Sequence, residues 1–533
     1  MGRIWSVARH TLAEAVRMKV AVICIVILAA IIFGLPFISK GDGSISGAVQ
    51  SFLTYSLVAT SFLLSCLSIF LAKSLSDDLV GKQILIVMTK PIARWQYVLG
   101  KWLGIMVLNM VILTIVGVAI YGMTMYLAGR LRGLIVIGAV VGLLALAAAF
   151  ALVRGLRPVR PTAGKWAGLA TAALVLVALG GVSVAGLYRY QKTFQPRDEY
   201  DGERLRNQIL QARHSQRFRL PTQEFGRRAS EIYNKNVAEG KYSGVSDLNE
   251  HREKARIREE IEQQWRTVET LGGRVFEISD VRCSRKPDEL LHLKYQYRCY
   301  RYPPDEIIRS IWYAGNREKG TQLYVFPRRD VLDRRHTLPM PADAVAPDGT
   351  LTLAFENRNP FVGDPDDPEE VQHDNPVTFE GPDAVEVLFA IGTFGGNLTR
   401  ALALVLCRLA FLAALSVAAA TLLSFPVAAL ASLTVYTLAV ARGFLGESIT
   451  WIGTESVGRR VTQGVLQNLL NLLYVIIPNF AEFDGLPTLV DGRNVTLRWV
   501  LQGIGQLGML QAGVLLLLGC LIFHRREVAE ISV

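Results

Sequence analysis

The residues with the clearest chemical potential are four Gly-Lys dipeptides. A phosphate-cradling loop in an ATP-hydrolysing chain ends in Gly-Lys followed by Ser or Thr, at the start of a helix. Gly81-Lys82, Gly100-Lys101, Gly164-Lys165 and Gly240-Lys241 all lack the following hydroxyl residue. ATP hydrolysis is therefore not expected of this chain. Its seven histidines are dispersed, with no His-Glu-x-x-His and no Cys-His cluster at ligand spacing, so no metal site is expected either. Asp364, Asp366, Asp367, Glu369 and Glu370 carry the oxygens that calcium takes. Pro365 and Pro368 interrupt that run, which favours a solvated turn. No nucleophile stands beside a base, and the chain is read as a non-enzyme. Arg408 lies in an otherwise apolar run, where a charge costs at least ~2.5–3.5 kcal/mol at a helix centre. It either lines a translocation path, pairs with Glu447 or Glu482, or snorkels to the headgroups. Of six cysteines, Cys24, Cys66, Cys407 and Cys520 fall in apolar runs and act as small apolar residues. Cys283 and Cys299 fall in a polar region and could pair there in an oxidising compartment.

The elements that carry these residues are set by hydropathy. The chain has 533 residues, 51% hydrophobic and 19% charged, below the roughly one quarter charged of soluble domains. The apolar residues gather in runs near the ~20 that a bilayer-spanning helix needs. Eight spans are expected, at about 20–37, 51–73, 102–127, 133–153, 166–187, 401–423, 426–444 and 499–523. The net charge of +11 is explained without nucleic acid. Arg3, Arg9, Arg17 and Lys19 precede the first span, Lys82, Lys90, Arg94 and Lys101 follow the second, Arg154, Arg157, Arg160 and Lys165 follow the fourth, and Arg525 and Arg526 close the chain. Short Lys/Arg-rich loops stay in the cytoplasm. Eight alternating spans put all four groups on one side, with both termini inside; Arg130 and Arg132 are the exceptions. Residues 1–19 read as a basic amphipathic, interfacial helix with Ile4, Val7, Ala8, Leu12 and Val16 towards one side.

Between the second and third spans, Ser76 to Trp102 reads SDDLVGKQILIVMTKPIARWQYVLGKW. It has an acidic start, Gly-Lys, a short apolar run, Lys90-Pro91, Arg94 and Gly100-Lys101. That order resembles the first cytoplasmic loop of type 2 ABC export permeases, whose coupling helix docks on a separate ATPase. The resemblance implies that Asp77, Asp78, Gly81, Lys82, Lys90, Pro91 and Arg94 shape or contact that interface. Two further segments are similar to the same family: Ile477-Pro478-Asn479-Phe480 with Phe483-Asp484, and the terminal Phe523-His524-Arg525-Arg526-Glu527. The resemblance covers about 1–127 and 398–533. It implies a dimer of permease subunits, homomeric or heteromeric, with two ATPase copies that hold the ATP and Mg, in a bacterial cytoplasmic membrane. This chain itself would bind no cofactor.

The insertion is residues 128–397: two additional spans, then a soluble region of about 188–397 that alternation places outside the cytoplasm, where it has room for a protein partner. Its first part, 196–270, is highly charged and reads as helical, with Ile257, Ile261, Trp265 and Val268 at helical spacing. Its second part, 274–394, reads as β-sandwich-like. Leu291, Leu293, Tyr295, Tyr297 and Cys299 alternate with polar residues, as do Leu351, Leu353 and Phe355 after the turn Pro347-Asp348-Gly349; 321–326 and 385–391 are further strands. The last three spans, 398–533, enclose an external amphipathic or re-entrant segment at 445–498. The expected fold is a polytopic α-helical membrane protein carrying an inserted α+β domain. Two other functions fit the sequence: an anchored assembly or sensory protein that transports nothing, and an ion-coupled secondary transporter.

Overall fold

The structure, a computed structural model, describes residues 2–17, 20–38, 45–80, 92–127, 210–239, 247–283, 289–299, 307–331, 335–359, 375–379, 381, 384–451 and 478–525. The chain forms two compact units, Met1–Ala212 with Gly392–Val533, and Arg213–Ile391.

The first unit is helical. Among the described residues, five helices are long and apolar enough to cross a membrane: Gly47–Leu79, Arg94–Leu127, Phe394–Leu422, Phe425–Arg442 and Leu497–Arg525. In chain order its helices are α1 (Gly2–Arg17), α2 (Val20–Ile38), α3 (Ile45–Leu71), α4 (Lys73–Val80) and α5 (Arg94–Leu127). After the inserted unit come α8 (Phe394–Leu422), α9 (Phe425–Trp451), the short α10 (Gly485–Val490) and α11 (Leu497–Arg525). Six of the eight expected spans thus coincide with helices, the first contributing the shorter apolar stretch Ile23–Leu35 of α2. The expected spans 133–153 and 166–187 lie outside the described residues, and so does the calcium-like acidic run.

Burial sorts these helices. The apolar window of α8 is 72% buried, against 22% for α9 and 28% for α11, so α8 is the interior helix around which the others pack. The turn expected at Leu423 to Pro426 is present: α8 ends at Leu422, and α9 opens with Pro426 in its first turn, where a missing N–H costs nothing. Within α11, Ile504–Gln511 is π-helical, a form that single bulges adopt where a helix carries an extra residue per turn.

The second unit contains a helical hairpin, α6 (Thr222–Ala238) and α7 (Asp247–Arg266), and, among the described residues, eleven strands in three sheets. Ala229 and Tyr233 of α6 bury against Ile257 of α7, with Ile261 packed beside them. The first sheet orders β1 (Gln211–Arg217), β11 (Val385–Thr393), β4 (Leu290–Tyr295) and β8 (His336–Pro341). The second orders β2 (Thr267–Val268), β10 (Val377–Phe379) and β5 (Tyr297–Cys299). The third orders β3 (Gly273–Ile278), β9 (Leu351–Asn357), β6 (Ile307–Ala314) and β7 (Tyr324–Val331). One aromatic core joins all three. Trp312 and Phe355 pair in register in the third sheet, with ring centroids 5.0 Å apart. Phe379 of the second meets Phe355 edge-on at 4.9 Å, and Tyr295 of the first lies 4.9 Å from Trp312. Such pairs add ~0.5–1.5 kcal/mol each beyond the area they bury.

Several expectations change here. Residues 211–217 form strand β1, although they lie in the part read as helical. Their sequence, QARHSQR, has no apolar alternation, and the ladder to β11 supplies the missing preference. Ile257, Ile261 and Trp265 lie on α7 as expected, but the helix ends at Arg266 and Val268 pairs with Val377 in a sheet. The alternating run 291–299 is two strands: Leu291 to Tyr295 belongs to the first sheet, and Tyr297 to Cys299 to the second. Cys283 and Cys299, which could pair in an oxidising compartment, are both free thiols in the structure. Cys283 Sγ lies 4.0 Å from the Ala342 carbonyl, whereas Cys299 Sγ accepts from Asn359 Nδ2 at 3.3 Å, so the two sulfurs serve different neighbourhoods.

Candidate functional site

The site is assembled on one face of α3 and α4, and every residue of it lies in the helical unit. Ser61, Ser65 and Ser68 recur at intervals of four and three, which keeps them on a single helix face. Ser74 and Asp78 repeat the pattern on α4. All five are buried, and serine is tolerated there because Ser65 and Ser68 donate to carbonyls four residues back, Ser61 and Leu64, at 2.7 and 2.8 Å. Other helices meet this stripe with polar groups of their own. Asn109 Nδ2 of α5 donates to Ser68 Oγ at 2.7 Å, and Ser416 Oγ of α8 donates to the Ser68 carbonyl at 3.3 Å. The stripe ends in a charged cluster at each extremity.

The first cluster centres on Lys101 of α5, whose side chain is only 1% exposed. Its Nζ lies 2.6 Å from Asp78 Oδ2 and 3.1 Å from Glu14 Oε2 of α1, and it donates to Ser74 Oγ at 2.8 Å. Tyr97 OH also donates to Asp78, in a short contact. All three ammonium protons therefore have acceptors, which a buried cation requires. Three separate helices meet at one nitrogen.

A close approach of α1 to α5 makes this possible. A Cβ at Gly104 would sit 2.8 Å from the Ala8 carbonyl oxygen and 2.8 Å from Thr11 Cβ; one at Gly100 would sit 2.5 Å from Val7 Cβ. Val7, Ala8, Thr11 and Ala15 form the buried stripe of α1, while Trp5 is exposed. The amphipathic helix expected at 1–19 is thus present over Gly2–Arg17, but its buried face lies against α5. In α11, Gly503 approaches Leu404, whereas a Cβ at Gly505 or Gly508 would meet nothing within 4 Å. Gly104→Val should push α1 away from α5. A cysteine placed at Ala8, 2% exposed, should then be labelled by thiol reagents at least ~10-fold faster, since a displaced backbone cannot relax as a side chain does.

Arg408 organises the second cluster. It is 7% exposed, and its guanidinium lies 3.6 Å from Asp484 Oδ1. Nη1 donates to Ser61 Oγ at 3.1 Å, Nη2 donates to the Phe480 carbonyl at 3.4 Å, and the group lies over the Phe480 ring at 5.2 Å. The carboxylate paired with it among the described residues is thus Asp484. Glu482 is exposed, and its carbonyl accepts from Trp499 Nε1 at 2.9 Å; the Glu447 side chain lies outside the described residues. Asp484 also caps α10 through Leu486 N at 3.2 Å, so one carboxylate fixes both the arginine and the segment after Phe480.

The residues expected to shape or contact the coupling interface divide. Asp78 is buried in the Lys101 cluster, whereas Asp77, next to it, is exposed. Arg94 opens α5 and donates through Nη1 to the Phe523 and His524 carbonyls at 3.2 and 2.7 Å, capping the C-terminal end of α11. Tyr97 stacks on Phe523 beside it, with centroids 6.3 Å apart. The loop's exit and the terminal Phe-x-Arg-Arg segment are therefore in contact. Gly81, Lys82, Lys90 and Pro91 lie outside the described residues. Lys101, Tyr97, Glu14 and Ser74 were not among the expected site residues. The available signal was a lysine set into the start of an apolar run, between Gly100 and Trp102.

Among the described residues no three His, Cys, Asp or Glu side chains come together as metal ligands. The seam contains acids, a lysine and an arginine held in mutual ion pairs, and it joins helices. Compared with known proteins, the chain matches no protein-family model, and no curated protein matches it.

Proposed function

We propose that the chain is the membrane subunit of an ATP-driven transporter of the type 2 ABC export class, worked by a separate ATPase. In this reading eight spans cross a bacterial cytoplasmic membrane, with both termini inside and the inserted unit outside. Two permease subunits bind two ATPases, and the output is export or mechanical signalling to something outside. One observation carries the reading: both flanks of the 81–91 loop are tied into the helical unit. Asp78 on the entering side and Lys101 on the leaving side are ion-paired at 2.6 Å, and Arg94 holds the end of α11. A push on this loop would move α1, α4, α5 and α11 together, which is what a coupling element requires. A loop of purely topological lysines needs no such anchorage.

The experiment is co-purification of the full chain with its ATPase, followed by ATPase rates for Asp77→Lys and Gly81→Trp. Both variants should stay folded and inserted. Asp77→Lys reverses an exposed charge at a complementary surface, and Gly81→Trp places bulk where close approach is needed, so stimulated ATPase should fall ~10-fold or more. Unchanged stimulation in both, or no co-purifying ATPase, sinks the reading.

The ion-coupled transporter is favoured by a different observation, the buried Asp78 and Lys101 pair with the half-buried Glu14 beside it, because ionisable groups inside a membrane unit mark ion paths in that class. Uptake or export by proteoliposomes lacking any ATPase, under an imposed proton or sodium gradient, would select it.

A further inference from the structure

The inserted unit contains a cleft that the transport reading does not use. It is a cavity of about 630 Å³ between the end of β1, the residues leading into α6, and one face of α7. Its size suits a small molecule or a headgroup. Arg217 and Arg219 line one wall, Arg258 and Arg266 the other, and Phe218 and Leu220 supply an apolar side. The one acid in the lining, Glu262, is engaged with Arg266 at 2.5 Å. Four guanidinium groups thus stand against one carboxylate in the lining, and Arg217 has an interaction of its own. Arg219 and Arg258 form no ion pair among the described residues, although α7 offers acids throughout its length.

Two features distinguish this from a solvated basic face. All the cations are arginine, whose planar fork of donors matches two oxygens of a phosphoryl group, and no lysine lines the cleft. The apolar side is held rigid: the Phe218 ring stacks on Trp265, centroids 5.2 Å apart with parallel planes, and meets Phe276 edge-on at 5.2 Å. Rigid walls spare a ligand the entropy of ordering its site. Elsewhere on α6 and α7, Arg227, Arg228 and Arg256 are matched to Glu231, Glu224 and Glu260 one turn away, and Arg252 is the exception. The cleft brings Arg219 and Arg258, neither of them ion-paired among the described residues, into one lining.

We propose that this cleft binds a phosphate-bearing ligand, the phosphoryl oxygens held between Arg219 and Arg258 and the rest of the molecule against Phe218 and Leu220. Binding is chargewise favourable and falls with added salt, because these side chains are open to solvent. The full chain in neutral-lipid nanodiscs is titrated calorimetrically with inorganic phosphate, with glycerol 3-phosphate and with dihexanoyl phosphatidic acid. Arg219→Gln/Arg258→Gln should bind at least ~10-fold more weakly, since each charge-assisted hydrogen bond removed is a strong one. Arg227→Gln/Arg256→Gln, on the same hairpin, should bind as the unaltered chain does. Binding of all three probes points to a soluble phosphomonoester, and binding of the phosphatidic acid alone points to a lipid headgroup; either supports the site. No binding of any probe by the unaltered chain, or equal weakening in the two double variants, overturns it.

Discussion

Lys101→Met is expected to cost about 3–5 kcal/mol of stability, because it leaves the buried carboxylate of Asp78, and the half-buried one of Glu14, without their cation. The loss should appear as a large fall in the melting temperature of the detergent-solubilised chain, followed by size-exclusion after heating. Two further variants separate charge from packing. Asp78→Asn in the Lys101→Met background removes one stranded charge while keeping a hydrogen-bond acceptor for Tyr97. It should recover more than half of the loss, since exchanging a whole buried ion pair for neutral groups is often close to neutral. Lys101→Arg should fail to substitute, because a planar fork cannot aim one compact charge at Asp78, Glu14 and Ser74 together. A Lys101→Met chain as stable as the original would show that the cluster contributes nothing to joining α1, α4 and α5.

Arg408→Met is expected to separate insertion from tertiary structure. Removing the charge from α8 favours membrane insertion by ~2.5–3.5 kcal/mol on insertion scales. Within the folded unit the same change removes the donors to Ser61 and the Phe480 carbonyl, the stacking on Phe480, and the partner of Asp484. We expect insertion at least as efficient as before but a folded state less stable by about 3 kcal/mol. The segment from Phe480 to Asp484 should loosen first. Asp484 is the less buried partner, at 32% exposure, so part of its charge can be solvated by opening that segment. In a Glu482→Cys background, thiol-labelling rates should rise ~10-fold or more on adding Arg408→Met. An unchanged rate would mean that Asp484 is held by its capping of α10 alone.

The helices apolar enough to be bilayer spans were legible from the sequence because a span must be a long apolar helix, whatever packs against it. Helices α2, α3, α5, α8, α9 and α11 all stand where the apolar runs predict them. The tight turn before Pro426 was legible for an equally local reason. So were β9, with its strict alternation, and the turn before it, where Gly349 adopts φ +80° and the Asp348 carboxylate accepts from Thr350 N. Strand β1 was not legible. Its residues are polar, and only hydrogen bonding to a neighbour nearly two hundred positions later makes it a strand. The break at Gln296 was hidden because alternation continues through it, while the two halves pair with different sheets.

By itself, then, the amino-acid sequence determined the class of the molecule: apolar helices around an inserted domain of helices and antiparallel strands, and no phosphate loop for ATP. It also marked Arg408 as a charge requiring explanation, because desolvation is a cost that the residue carries wherever it is buried. Only the tertiary structure decided who its partner is. Asp484, and not the exposed Glu482 two positions before it, lies within reach, since the segment after Phe480 returns to α8 and α10 needs a cap at that position. The same holds for Asp78. In sequence it stands beside Asp77 as one of two equivalent acids. In the fold, the α-helical turn of about 100° per residue directs one to solvent and the other to Lys101, 23 positions away. Which acid faces a partner and which binds the helices together depends on helix rotation and packing, and no local pattern of residues encodes it.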